Sequence, residues 1–111
     1  MAVYVSNLII NAGTDFFQTF NLSNTQGDSA FNLTNYSIAS KIKKHSASSS
    51  STSFTSSIIN AVNGTIGIGL TSGQTTSLKP GRYIYDIVIT SSTGFKTRAI
   101  EGTVLVREGV T

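Results

Sequence analysis

The sequence lacks cysteine and tryptophan, and it contains one proline and one histidine among 111 residues. Without cysteine the fold can hold neither a disulfide nor a thiolate-bound metal. Charged side chains make up 12% of the chain and give a formal net charge of +3, an excess too small to predict a nucleic-acid-binding protein. No apolar run approaches the roughly 20 residues that a membrane helix needs.

The length predicts one domain over residues 1–111. A domain of this size buries roughly 65% of its unfolded surface, which is enough for one core without covalent links. Residues 1–7 have no basic segment and no long apolar run, so no signal peptide is predicted and we expect synthesis in the cytosol.

The clearest strand pattern follows Pro80-Gly81 and runs to Thr90. Its side chains alternate strictly, as strand side chains do. Apolar residues fill one face and also occur on the second, which predicts a central strand. The first face takes Tyr83, Tyr85, Ile87 and Ile89, and the second takes Arg82, Ile84, Asp86, Val88 and Thr90.

Similar short segments recur along the chain, with turn residues every 8 to 12 positions. This spacing predicts an all-β, antiparallel β-sandwich of seven to eight strands, with a small barrel as the alternative. One short helical turn is predicted, capped by Thr71 or Ser72 and ending near Ser77. Asn63-Gly64 predicts a two-residue hairpin, and Glu101-Gly102 a bulge or bend.

Two segments are predicted to be available for contacts with partners. Residues 1–10 are expected to serve as an assembly arm. Residues 45–53, which are mostly serine, are expected to form a flexible loop, because their side chains gain little by packing.

No catalytic residue, metal ligand or cofactor site is predicted. His45, the one histidine, adjoins the serine-rich stretch and no nucleophile-elbow motif occurs, so a catalytic triad is not expected. Asp86 lies in the middle of a strand among apolar residues. An unpaired carboxylate there would be costly if that face is partly buried, so we expect Asp86 to pair with Arg98 or Arg82 for a structural reason, the alternative being a carboxylate open to water.

The one basic cluster consists of Lys41, Lys43, Lys44 and His45. It is interpreted as a solvated strand end, with contact to an acidic protein or to phosphates as the alternatives. Together with Tyr4, these residues are the candidate partner contacts. Tyr83 and Tyr85 are predicted to be structural, because core spacing favours burial over a lectin-like sugar site.

A longer pattern resembles a known group of proteins. It begins with Ala12-Gly13-Thr14-Asp15-Phe16 and continues with Leu33-Thr34-Asn35-Tyr36. It ends with Gly81-Arg82-Tyr83-Ile84-Tyr85-Asp86 followed by Glu101-Gly102-Thr103-Val104. The order is similar to the small β-sandwich domains of tailed-bacteriophage virion structural proteins, including the N-terminal domain of the lactococcal phage upper baseplate protein and short structural proteins of marine phages and cyanophages.

This resemblance implies an immunoglobulin-like sandwich without catalytic residues, located in the virion. Its partners would be other virion proteins (capsid, neck or tail) and copies of itself, with neither membrane nor nucleic acid. Baseplate proteins continue into further domains whereas this sequence ends at Thr111, so we expect a separate accessory subunit that decorates and stabilises the capsid. A tail, neck or baseplate subunit is the first alternative, and a module that binds carbohydrate or the host surface is the second.

Overall fold

The computed structural model describes residues 4–22, 32–45 and 51–108. Within them lie nine strands and one short helix. The strands are β1 (Tyr4–Val5), β2 (Leu8–Asn11), β3 (Phe16–Asn21), β4 (Ser37–Lys43), β5 (Thr52–Ser53), β6 (Thr55–Asn60), β7 (Thr65–Leu70), β8 (Gly81–Thr90) and β9 (Lys96–Arg107), and the helix α1 is Ser72–Thr76.

The strands form two sheets, which confirms the predicted sandwich rather than a barrel. The larger sheet has the order β1-β9-β8-β4-β5, with β2 also paired to β9, and the smaller sheet has the order β3-β7-β6. Apolar side chains from both sheets meet in one buried cluster. Its fully buried members include Ile10, Leu22, Ile42, Ile66, Ile68, Ile87, Ile89, Ile100, Val104 and Val106.

The sheet orders are those of an immunoglobulin-like fold. In chain order, β9-β8-β4-β5 corresponds to strands G, F, C and C′ of that fold, and β3-β7-β6 corresponds to B, E and D. Tyr83 adds a second feature, because its hydroxyl donates to the carbonyl of Lys79 at 2.8 Å, four residues upstream. A tyrosine near the start of strand F that bonds back in this way is the tyrosine corner of such sandwiches.

The N-terminal segment departs from the predicted antiparallel arrangement. Strands β1 and β2 pair with β9 in parallel, and the remaining pairs are antiparallel. The assembly arm expected at residues 1–10 is therefore, from Tyr4 onward, part of the larger sheet. The reason is hydrophobic, because Leu8 and Ile10 are buried in the core. Residues 1–3 lie outside the described residues.

The serine-rich loop expected at residues 45–53 is shorter than predicted. Thr52 and Ser53 form β5 and pair with Ile42 and Lys41 of β4. The short side chains of this segment pack little, but its backbone N–H and C=O groups still need hydrogen-bond partners, and pairing with β4 provides them. Residues 46–50 lie outside the described residues.

Strand β9 runs without a break through the predicted bend at Glu101-Gly102. The bulge lies earlier, at Ala99, because Val88 pairs with Arg98 while Ile87 pairs with Ile100. Ala99 and Ile100 are consecutive and both buried. A bulged residue breaks the alternation in this way. The outward-facing residues of β9 therefore have even numbers before Ala99 and odd numbers after it.

The helical turn forms as predicted, with Thr71 as its cap. The Thr71 hydroxyl accepts from the backbone N–H of Gln74, and the Gln74 side chain accepts from the backbone N–H of Thr71. The hairpin between β6 and β7 differs from its prediction. Its turn takes in residues 61–64, and Gly64 alone among them has a positive φ, of 70°. The Ala61 carbonyl accepts from Gly64 N–H at 3.2 Å and from Leu33 N–H at 2.7 Å.

Gly102 is required where the N-terminal segment crosses from β1 to β2. A Cβ at Gly102 would collide with the carbonyl of Ser6. That carbonyl accepts from the Tyr85 hydroxyl at 2.7 Å, and the Asn7 side chain accepts from Thr103 N–H at 3.1 Å. The bare backbone of Gly102 therefore lets Ser6 and Asn7 lie against β9.

We expect Gly102→Ala to destabilise the protein by about 1–3 kcal/mol, because Ser6 and its hydrogen bonds must move. The measurement is urea unfolding followed by circular dichroism. Gly73→Ala is the matched control, since a Cβ at that helical position meets its nearest atom at an ordinary 3.9 Å. Equal stability of the two variants would contradict the role given to Gly102.

Burial raises the pKa of Tyr85 above its ordinary value of 10.0. The neutral phenol is thus favoured in the folded state, and its contribution is fully present below pH 10 and is lost as the pH rises through the raised pKa. We expect the stability difference between wild type and Tyr85→Phe to be constant from pH 7 to about 9 and to shrink above about 10. Urea unfolding at each pH measures the free energy of unfolding of both proteins. A difference that stays constant up to about pH 11 would contradict the raised pKa of Tyr85.

Candidate interaction face

Positive charge is concentrated on the outer face of the larger sheet, which we call the basic face. Strand alternation directs six of the eight lysine and arginine side chains there, together with two carboxylates. The cations are Lys41, Lys43, Arg82, Lys96, Arg98 and Arg107, and the carboxylates are Asp86 and Glu101. The three strands of the smaller sheet contain no charged residue at all.

The centre of the basic face is an ion-pair network around Arg98. Arg98 Nε lies 3.3 Å from Asp86 Oδ2, and Arg98 Nη1 lies 3.5 Å from Glu101 Oε1. The bulge at Ala99 creates this arrangement, because it puts Arg98 and Glu101 on the same side of β9. The expected pairing of Asp86 is therefore with Arg98, while Arg82 lies opposite Leu105.

A groove of about 510 Å³ runs beside this network. Lys41 lies directly across from Asp86 on β4, and Lys43 lies across from Ile84. Val5 and Ile84 bring exposed apolar surface to the same groove, with 72% and 37% of their surface accessible. The groove therefore combines two exposed apolar side chains with charged groups at its edges.

The structure divides the predicted basic cluster. Lys41 and Lys43 line the groove, whereas Lys44 turns toward Tyr83 and its Nζ lies 4.9 Å from the ring centroid. A second groove, of about 460 Å³, is lined by Lys43, Lys44, Lys79 and Tyr83 among others. His45 is exposed at the end of β4. Tyr4 begins β1, and its side chain lies outside what the structure describes.

Both core tyrosines turn inward, as their spacing predicts. Tyr85 is 4% exposed, and its ring lies 6.2 Å from that of Phe54 in an edge-on arrangement. Tyr83 is half-buried and uses its hydroxyl in the tyrosine corner.

Four groove residues were not candidate site residues in the sequence: Val5, Ile84, Glu101 and Gly102. The alternation of β8 already put Ile84 beside Asp86, so that signal was present. Val5 and Glu101 reach the groove through the parallel β1–β9 pairing and the Ala99 bulge. Neither feature has a local sequence signature.

The described ranges show neither a metal-binding cluster nor a membrane-spanning helix. Within residues 4–22, 32–45 and 51–108, no group of three or more histidine, cysteine, aspartate or glutamate side chains could hold a metal ion. No helix in those ranges is long and apolar enough to cross a membrane.

The Asp86–Arg98 pair is partly open to water, with side-chain exposures of 36% and 56%. Solvent screening limits such pairs to about 0.2–1 kcal/mol. A double-mutant cycle of Asp86→Asn and Arg98→Ala, followed by thermal unfolding at neutral pH, should give a coupling energy in that range. Asp86→Asn with Arg82→Ala is the control pair, because no ion pair joins Arg82 to Asp86 among the described residues, and its coupling energy should be near zero. A coupling of zero between Asp86 and Arg98 would show that the pair does not contribute to stability.

No family model matches the chain, and no curated protein matches it. Among solved structures it is similar to the Listeria monocytogenes internalin-like protein lmo2027, with a TM-score of 0.47 and 14% identity over 93% of this chain. The chain spans 27% of the length of that protein.

It is also similar to a structure from a photo-crosslinking study of the multimeric cell-adhesive interactions of VGSC beta subunits. The TM-score is 0.43 with 11% identity, covering 95% of this chain and 92% of the other. Both TM-scores lie below 0.5, so neither structure indicates a function for this chain.

Proposed function

We propose that this protein is a non-enzymatic binding subunit that docks through its basic face on an acidic surface of another protein. Within that class we propose an accessory subunit of a bacteriophage virion, with capsid decoration as the preferred role. The observation that carries the binding role is the segregation of charge, with six cations and two carboxylates on one face and none in the strands of the smaller sheet.

The arrangement of the basic face supports protein binding in particular. Its excess of four positive charges would steer an acidic partner toward the sheet. Val5 and Ile84 then offer apolar area at the groove, where contact with a partner would exclude water from the Asp86–Arg98 pair. The charged groups of the basic face are spread over three strands, β4, β8 and β9, which suits a broad protein surface.

The virion assignment rests on the sequence resemblance to phage β-sandwich proteins. A decoration subunit adds buried area to the assembled shell and stabilises it by mass action, because it binds the assembled state preferentially. Symmetry repeats each contact many times in such a lattice, so modest affinity at each site is sufficient. A subunit of the tail, neck or baseplate would use the same face.

A module that binds carbohydrate is the second candidate. It would need a cluster of exposed aromatic rings. Among the described phenylalanines, Phe17 and Phe95 are exposed, at 62% and 72%, but they lie on β3 and in the β8–β9 turn respectively. The geometry of the described rings therefore favours the protein-binding role.

We expect purified protein labelled at its C-terminus to bind native phage particles, as seen by electron microscopy, and to spread regularly over the head. Lys41→Glu with Lys43→Glu should lower the occupancy at least about tenfold at equal concentration, because like charges would then face the acidic partner. Lys79→Glu is the control, since it changes an exposed lysine outside the basic face.

The outcomes separate the parts of the proposal. Label confined to the neck, tail or baseplate would overturn decoration and leave the virion role. Full binding by the double variant, or equal loss with Lys79→Glu, would overturn the basic face as the contact surface. Label on no particle would overturn the virion role, and a glycan array would then test the carbohydrate-binding alternative.

A further inference from the structure

The outer face of the smaller sheet is uncharged and partly apolar, and we call it the neutral face. Its outward side chains come from β3, β6 and β7, which contain no lysine, arginine, aspartate or glutamate. Phe17 and Ile59 are its large apolar residues, with 62% and 51% of their surface exposed. Net charge keeps proteins soluble and monomeric, and this face carries none.

Two glycines shape the centre of the neutral face. A Cβ on Gly67 would come within 2.6 Å of Phe17 Cζ and 2.9 Å of Ile59 Cδ1, and a Cβ on Gly69 would come within 3.1 Å of Phe17 Cδ1. The Phe17 ring and the Ile59 side chain therefore both lie over the bare backbone of Gly67. The result is a low apolar platform between Thr19 and Ser57 rather than a projecting side chain.

From this platform we propose that two copies of the chain associate through their neutral faces, as a two-fold symmetric pair. The proposal does not depend on the proposed function, because it uses neither the basic face nor a virion partner. A two-fold pair brings the same patch of each copy together, so Phe17 and Ile59 of one copy would cover those of the other.

The distribution of charge favours a second copy as the occupant. Each chain carries a net charge of +3, and its cations lie mainly on the opposite sheet. Packed sheets are about 10 Å apart, so two copies joined at their neutral faces hold their basic faces about 30 Å apart, well beyond the Debye length of about 8 Å. Association through the basic faces would instead bring like charges into contact.

The area of the neutral face sets the strength of the association. Three strands of six residues cover about 14 by 20 Å, or roughly 300 Å² in projection for each copy. A stable complex buries about 800 Å² on each partner. The pair is therefore weak in dilute solution and becomes populated where copies are concentrated, which also explains how an isolated chain tolerates an exposed Phe17.

Sedimentation equilibrium from about 10 µM to about 1 mM tests the proposal. The weight-average mass of wild type should rise from 11.7 kDa toward twice that value, whereas Phe17→Lys should stay at the monomer mass. Phe95→Lys is the matched control, because it places the same charge at a phenylalanine that is 72% exposed outside the neutral face. Wild type that remains monomeric at about 1 mM, or loss of association in the Phe95 variant, would overturn the proposal.

A second measurement locates the contact without altering Phe17. The chain has no cysteine, so Ser57→Cys on the neutral face and Ala39→Cys on the basic face each introduce one thiol at an exposed position. Under mild oxidation Ser57→Cys should form covalent dimers at least about tenfold faster than Ala39→Cys, because its effective concentration across the two-fold axis is higher. Equal rates, or faster dimerisation through Ala39→Cys, would exclude the neutral face.

Discussion

The bulge at Ala99 decides which side chains of β9 face the core and which face water. Before it, Lys96 and Arg98 point outward; after it, Glu101 and Thr103 do so, while Ala99 and Ile100 are both buried. A regular strand could not put Arg98 and Glu101 on one side, because strand side chains alternate with a period of two. The Arg98 network with Asp86, and hence the centre of the basic face, depends on this one extra residue.

Strand β9 also holds the N-terminal segment in place. Ser6 and Asn7 lie against it where Gly102 leaves the backbone bare, and the Tyr85 hydroxyl reaches across to the Ser6 carbonyl. Val5 consequently reaches the groove beside Glu101. Core packing and the interaction face thus share the β8–β9 pair, and a change at Gly102 would affect both.

The two outer faces of the sandwich differ in chemistry, and this difference supports two separate associations. One face combines an excess of positive charge with exposed Val5 and Ile84. The other has no charge, and its exposed Phe17 lies over the two glycines of β7. Because the faces lie on opposite sheets, a weak pair formed through the neutral face leaves both basic faces free. Repetition of weak contacts is the means by which small subunits bind a symmetric lattice.

Much of the architecture was predictable, because alternation is a local property. The pattern from Gly81 to Thr90 identified β8, its buried face and its central position, and Thr71 or Ser72 as a cap identified the helical turn. The cost of burying an isolated carboxylate predicted a cationic partner for Asp86, and Arg98 and Arg82 were the two candidates. Two glycine motifs gave wrong predictions. Asn63-Gly64 belongs to a four-residue turn rather than a two-residue hairpin, and Gly102 accommodates the close approach of Ser6 rather than a bulge.

The sequence by itself determined the fold class, the core-facing residues of the longest strands and the absence of disulfides, because these follow from residue type and a period of two. The tertiary structure decided the parallel pairing of β1 and β2, the position of the bulge and the segregation of charge between the two sheets. Those features depend on contacts between residues up to about a hundred positions apart, such as Asn7 with Thr103. Local propensity does not encode such contacts, because they form only when both sheets bury their apolar faces together.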